Sequence, residues 1–157
     1  MNGIMTELDR KDRSILRDLQ HEGRLTNLEL AERVHLSPTA TAERVKRLTR
    51  EGFILGYAAR LAPAKLGRGM IVFVEVKMDR TSDAVFSEFK RVAEATPAIM
   101  ECHMVAGGFD YLIKARVEDM AAYRAFLSET LLALPGVRET HTYAVMEEVK
   151  NTAAIAF

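Results

Sequence analysis

Four cations crowd into seven residues of this chain: Arg44, Lys46, Arg47 and Arg50. Placed on a helix that starts at Ser37-Pro38, they follow two small residues, Thr39 and Ala40. Guanidinium groups donate to phosphate oxygens or bidentately to guanine, and small residues near a helix start can meet base edges or thymine methyls. The chemistry this pattern supports is DNA contact, with Ser37, Thr39, Ala40, Glu43, Arg44, Lys46, Arg47 and Arg50 as the facing set. A second group is the run Gly107-Gly108-Phe109-Asp110-Tyr111. It sets a carboxylate and a phenol beside backbone N–H groups, which could hold both ends of a zwitterion: N–H groups take the carboxylate and Asp110 the ammonium. Gly-Gly equally marks a plain hairpin turn.

The basic helix needs a partner to be a DNA reader. Thr26 and Glu29 form a capping box that starts a helix with Leu28, Leu30, Ala31 and Val34. The chain turns at His35-Leu36, where positive φ is commonly required and Gly is the low-strain choice. Ser37 as N-cap and Pro38 at the first helical position start the next helix, which turns Thr41, Val45 and Leu48 inward. An earlier helix, capped by Asp9, carries Ile15, Leu16 and Leu19 and ends near Gly23. Three helices with this spacing predict a helix-turn-helix domain over residues 1–60. Phe53–Ala59 reads as a short hinge strand, and Pro63, Gly67 and Gly69 mark a linker over 61–69.

The chain has 157 residues, equal numbers of acidic and basic side chains, and 48% hydrophobic residues. Residues 1–60 hold eleven Lys/Arg against nine Asp/Glu, so the basic excess is small and local. Phosphate affinity must then come from more than one copy of the patch, which predicts an oligomer. No apolar run suits a signal peptide or a membrane span, and the expected location is cytoplasmic and nucleoid-associated. Cys102 is the only cysteine and reads as a buried apolar residue, excluding an internal disulfide. His21, His35, His103 and His141 lack partners at metal-ligand spacing, and no metal is expected.

From Met70 onward the pattern is strand Met70–Met78, helix Asp83–Ala95, strands Ala98–Ala106 and Phe109–Val117, a helix after Asp119, and a long last strand Val137–Val149. This β-α-β-β-α-β order predicts a ferredoxin-like domain over 70–157, of the RAM or ACT type, within an α+β chain. Both helices lie on one sheet face, and the other, expected to be apolar, should pair with a second subunit. There is no nucleophile elbow, no phosphate loop and no convergent carboxylate pair, since Glu147 and Glu148 would diverge on a strand. The chain is read as a non-enzyme.

Leu8-Asp9-x-x-Asp12-x-x-Ile15-Leu16, Gly23-Arg24-Leu25, Leu36-Ser37-Pro38-Thr39, Arg44-Val45-Lys46-Arg47-Leu48 and Gly52-Phe53-Ile54 resemble the DNA-binding half of the Lrp/AsnC family of transcription regulators. Gly107-x-Phe109-Asp110-Tyr111-Leu112 and Leu134-Pro135-Gly136-Val137 resemble its effector half, and Glu101-Cys102-His103 and Met146-Glu147-Glu148-Val149-Lys150 are similar to its leucine-responsive subgroup. The resemblance implies a winged-type helix-turn-helix and sequence-specific regulation of amino-acid metabolism on double-stranded DNA. It also implies homodimers assembling into tetramers or octamers, and leucine or another small amino acid bound between dimers as effector. By position it implies Met104, Gly107, Gly108, Asp110 and Tyr111 as effector residues, with Thr140, Tyr143 and Val145 behind them. His35, Thr41-Ala42 and Gly108 depart from the family's usual residues. The competing reading is an architectural DNA-compacting protein whose C-terminal half only oligomerises.

Overall fold

The computed structural model describes residues 7–79 and 82–157. The chain divides into two units, one running up to Arg60 and including Asn151–Phe157, the other spanning Leu61–Lys150. Residues 1–6 of the expected first domain lie outside the described residues.

The first unit is built on α1 (Arg10–His21), α2 (Asn27–Val34) and α3 (Pro38–Arg50). Each starts where a side chain takes an orphan amide: Asp9 accepts from the Asp12 N–H, Thr26 from Glu29 and Ser37 from Ala40. The α1 box uses two aspartates, because the Asp12 carboxylate returns to the Asp9 N–H. His35 closes α2 in the left-handed region at φ 53°, ψ 57°, as the turn position requires. Ile15 and Leu19 of α1, Leu30 and Val34 of α2 and Leu48 of α3 form the core.

After Gly52 (φ 79°) the chain runs extended, but Phe53–Ala59 joins no sheet. The hinge strand expected there is corrected. A strand is defined by its ladder, and among the described residues no segment pairs with this stretch.

The second unit has β1 (Met70–Met78), α4 (Asp83–Ala95), β2 (Ile99–Met104), β3 (Tyr111–Val117), α5 (Met120–Phe126) and β4 (Val137–Ala144). The strands form one antiparallel sheet in the order β2-β3-β1-β4. α5 widens into a π-turn over Leu127–Leu131 before Pro135-Gly136. Val72, Val74 and Val76 of β1 and Tyr111, Ile113 and Ala115 of β3 face the helices, meeting Phe89, Ala93, Tyr123, Phe126 and Leu131. Tyr111 stacks on Phe89 with ring centroids 4.2 Å apart.

Two expectations about this unit change. The last strand stops at Ala144 rather than Val149. Val145 still donates to the Ile71 carbonyl, but β1 begins at Met70 and offers no further partner. The chain leaves the sheet there, and Glu148 meets Arg116 at 3.1 Å. The open sheet face, expected to be apolar, is laced with charge. Lys114 pairs with Glu101 (2.8 Å), Lys77 with Glu139 (3.4 Å), and the Tyr143 hydroxyl donates to Glu75 (3.2 Å), around half-buried Phe73 and Leu112.

Phe89 is fully buried beneath the sheet, so Phe89→Ala should lower the second unit's unfolding free energy by about 3–5 kcal/mol. Exposed Leu132→Ala should stay within about 0.5 kcal/mol. Urea titration followed by circular dichroism measures both.

Candidate functional site

Along α3 and its N-cap, Ser37, Pro38, Thr39, Ala40, Glu43, Lys46, Thr49 and Arg50 are exposed, while Thr41 and Leu48 are buried. Thr41 donates its hydroxyl to the Ser37 carbonyl at 3.0 Å, so its small polar side chain closes the first turn from inside. Arg44 and Arg47 turn toward the start of α1 instead of projecting freely. One Arg44 nitrogen lies 2.6 Å from Asp9 and 2.8 Å from Asp12, and one Arg47 nitrogen lies 2.6 Å from Asp12. Asp12 is 1% exposed, against 30% and 29% for the two arginine side chains. Burial pushes the Asp12 carboxyl up, but the hydrogen bonds from Arg47 and Arg44 outweigh it and hold the group below its ordinary value. The Asp12 N–H, then Arg44, lower Asp9 likewise.

Each guanidinium has five donors in a planar fork, so the bonds to aspartate leave others for a phosphate. The aspartates also cancel charge. Glu7, Asp9, Asp12 and Glu43 line one shallow depression with Arg44, Lys46, Arg47 and Arg50. The cations of this depression that no aspartate holds are exposed Lys46 and Arg50.

Asp9 is legible in the sequence as a cap, and the partner role of Asp12 has a sequence signal as well. Asp12, Ile15 and Leu19 are the buried residues of α1, at helical spacing, and an acid on an apolar stripe requires a cation.

The second constellation lies between β2 and β3. Val105 donates to the Asp110 carbonyl (3.0 Å) and Asp110 to the Val76 carbonyl (2.9 Å), which closes the loop. Between them, the amides of residues 106–109 meet no acceptor among the described residues. Gly107 and Gly108 do not take positive φ, and a Cβ built on either would touch nothing within 4 Å. Neither backbone geometry nor crowding within the chain calls for glycine here.

The Asp110 carboxylate uses Oδ2 to accept the Met78 N–H at 2.7 Å, pinning the loop to the end of β1 and leaving Oδ1 uncommitted. The Tyr111 ring points into the core, and its buried hydroxyl has no partner among the described residues. Burial pushes that phenol up.

Register sorts the remaining candidates. Met104 pairs with Tyr111, Tyr111 with Val76, and Val76 with Thr140, so these stand in one row facing the helices. Tyr143 pairs with Phe73 on the opposite face, and Val145 follows just beyond the strand. The structure thus groups Met104, Gly107, Gly108, Asp110 and Tyr111 at one sheet end and sets Tyr143 apart from them. Among the described residues no group of His, Cys, Asp and Glu has metal-binding geometry.

Residues 8–54 match the winged helix-turn-helix DNA-binding model, and residues 71–155 match the model of the Lrp/AsnC ligand binding domain. The chain belongs to the Lrp/AsnC family. The leucine-responsive regulatory protein of Escherichia coli strain K12 is 54% identical over 146 residues, covering 93% of this chain and 89% of that protein. Among solved structures, a Neisseria meningitidis transcriptional regulator in complex with L-Met superposes with a TM-score of 0.91 at 36% identity, covering 96% of this chain and 97% of that one. An AsnC family regulator from Agrobacterium tumefaciens gives a TM-score of 0.90 at 32% identity, covering 94% and 96% of the two chains. This family member is a DNA-binding transcription regulator with a small-ligand domain, on a winged helix-turn-helix followed by an antiparallel sheet and helices. Among the described residues no helix is long and apolar enough to cross a membrane.

Asp12→Asn takes the carboxylate from Arg47 and leaves Arg44 with Asp9 alone, and should lower the stability of the first unit by about 1.5–3 kcal/mol. Because the folded state lowers this carboxyl's pKa, its contribution is fully present above about pH 5 and is lost as pH falls below ~4, through the folded value. Acid titration of thermal stability should show that loss in the parent chain, with a smaller one in Asp12→Asn.

Proposed function

We propose that this regulator is sequence-specific and acts on amino-acid metabolism, reporting a small amino acid through the loop between β2 and β3. The observation that carries this reading is the run of unpaired amides at 106–109 beside the free Oδ1 of Asp110. Clustered N–H groups suit a carboxylate, and a carboxylate oxygen at hydrogen-bonding distance suits an ammonium. Gly107 and Gly108, which nothing in the chain itself requires, keep the approach open for a ligand backbone. The Neisseria relative that holds L-Met supports the ligand class. Leucine and methionine are both candidates, being apolar amino acids of similar size.

The site is completed by a second copy. Met104 and Thr140 sit three strand spacings apart, on the order of 14 Å, and Tyr143 faces the other side of the sheet. One amino acid cannot span from Gly107 to Thr140, Tyr143 and Val145 within a single chain. It can touch both sets where two dimers meet, in a tetramer or octamer. Effector binding then biases assembly, because only differential affinity for two states moves an equilibrium. Assembly also supplies the phosphate contacts that one nearly neutral head lacks. On DNA, Thr39, Ala40 and Ser37 meet the groove, Glu43 orients its neighbours, and Lys46 and Arg50 take phosphates, with Arg44 and Arg47 adding the donors their aspartates leave free. The compartment is the cytoplasm, at the nucleoid.

Arg50→Ala and Lys46→Ala should each reduce the slope of log affinity against log salt by about one unit per head in a mobility-shift titration. An unchanged slope would remove α3 as the phosphate contact. Asp110→Asn keeps an acceptor for the Met78 N–H but removes the charge. Calorimetry with leucine and methionine should show affinity at least tenfold weaker, a loss of about 1.4 kcal/mol, with DNA binding intact. A thermal-shift screen in which no amino acid stabilises the parent chain would favour the DNA-compacting alternative.

A further inference from the structure

The first unit carries an apolar groove that its helix-turn-helix role does not use. Leu8, Leu16 and Leu19 of α1 and its lead-in form one bank, and Phe53, Leu55 and Tyr57 form the other. The second bank is held at its far end, where the Tyr57 ring stands over Gly23: a Cβ there would lie 3.2 Å from Tyr57 Cδ1. The bank is otherwise bare, with Leu55 96% exposed. An open cavity of about 410 Å³ remains between the banks, and Ile155 and Phe157 wall it.

The contact with Asn151–Phe157 is made through backbone. Gln20 Nε2 donates to the Ile155 carbonyl at 3.0 Å, and Gln20 Oε1 accepts the Ile155 N–H at 2.9 Å. One side-chain amide thus satisfies both polar groups of one residue, as a neighbouring strand would. Arg60 reaches the Asn151 carbonyl, and Thr152 accepts the Ala154 N–H to shape the approach. Ordering each residue costs about 1–2 kcal/mol of entropy, so an extended segment stays only where hydrogen bonds and apolar contact offset that cost. Here the hydrogen bonds are those of Gln20 and Arg60, and the apolar contact is partial, with Phe157 46% exposed.

We propose that this groove is a docking site for an extended apolar peptide, and that its resident ligand is the chain's own Asn151–Phe157 segment. Gln20 is the recognition residue, reading backbone, while Ile155 and Phe157 line the cavity's edge and leave Leu55 open. The segment is therefore a working wall of the DNA-binding unit.

Photocrosslinking tests this in the full chain. With Phe157 replaced by benzoylphenylalanine, irradiation should join that position to peptides carrying residues 8–20 or 53–57. In a mixture of isotopically light and heavy protein, the joined peptides should come from one chain. Gln20→Ala removes two hydrogen bonds and should cut the yield roughly tenfold. Crosslinks mainly between light and heavy chains would overturn the chain's own segment as the ligand. Diffuse crosslinking, or a yield unaffected by Gln20→Ala, would overturn the docking site. Ile155→Pro provides an independent check, since it deletes the N–H donor that Gln20 Oε1 reads, together with the Ile155 side chain. The crosslinking yield from position 157 should fall several-fold, with the far-ultraviolet circular dichroism of the chain unchanged. An unchanged yield would also count against the proposal.

Discussion

Backbone hydrogen-bond satisfaction is the constraint on which this structure rests. Every buried N–H and C=O needs a partner, and the chain meets that need with side-chain caps at Asp9, Thr26, Ser37, Ser82 and Asp119 and with one four-stranded ladder. Largely exposed stretches fall outside that accounting, among them 55–59, 106–109 and 146–153, whose amides meet no acceptor among the described residues. The first is a bank of the groove beside α1, the second is the proposed effector loop, and the third leads to the segment that Gln20 holds.

The Asp12 cluster shows how one charge can serve two needs. It ties α1 to α3 through Arg44 and Arg47, which fixes the recognition helix on its scaffold. It also lowers the positive potential of the α3 face proposed to meet DNA. A lone head with compensated charge binds phosphate weakly, and affinity then depends on how many heads act together. Under the proposed assembly, weak single heads turn a change in assembly into a large change in occupancy.

Much of the fold was legible in the sequence because its signals are local. Thr26 with Glu29, Ser37-Pro38 and His35 each specify a cap or turn within four residues, and the structure places all of them as read. Periodicity located β1 and α4 with their observed bounds. The errors are non-local. Phe53–Ala59 and residues 145–149 have strand-like composition, yet a strand exists only where a partner lies alongside, and no spacing rule announces a missing neighbour. The open sheet face was expected to be apolar from topology alone, whereas Glu75, Lys77, Lys114 and Glu139 could have been assigned to it by alternation. For the candidate site, the loop was visible from its glycines. That Tyr111 turns inward while Asp110 pins β1 depended on register, which the sequence does not print.

The division of the chain has a consequence in time. The DNA-binding unit draws on residues up to Arg60 and on Asn151–Phe157, with 61–150 synthesised between them. At ribosomal rates of roughly 5–20 residues per second, its final wall arrives on the order of ten seconds after its helices. Until residues 151–157 are made, the helix-turn-helix stands without the wall that Gln20 holds beside α1, so the helices of the first unit precede their last hydrogen-bonded neighbour.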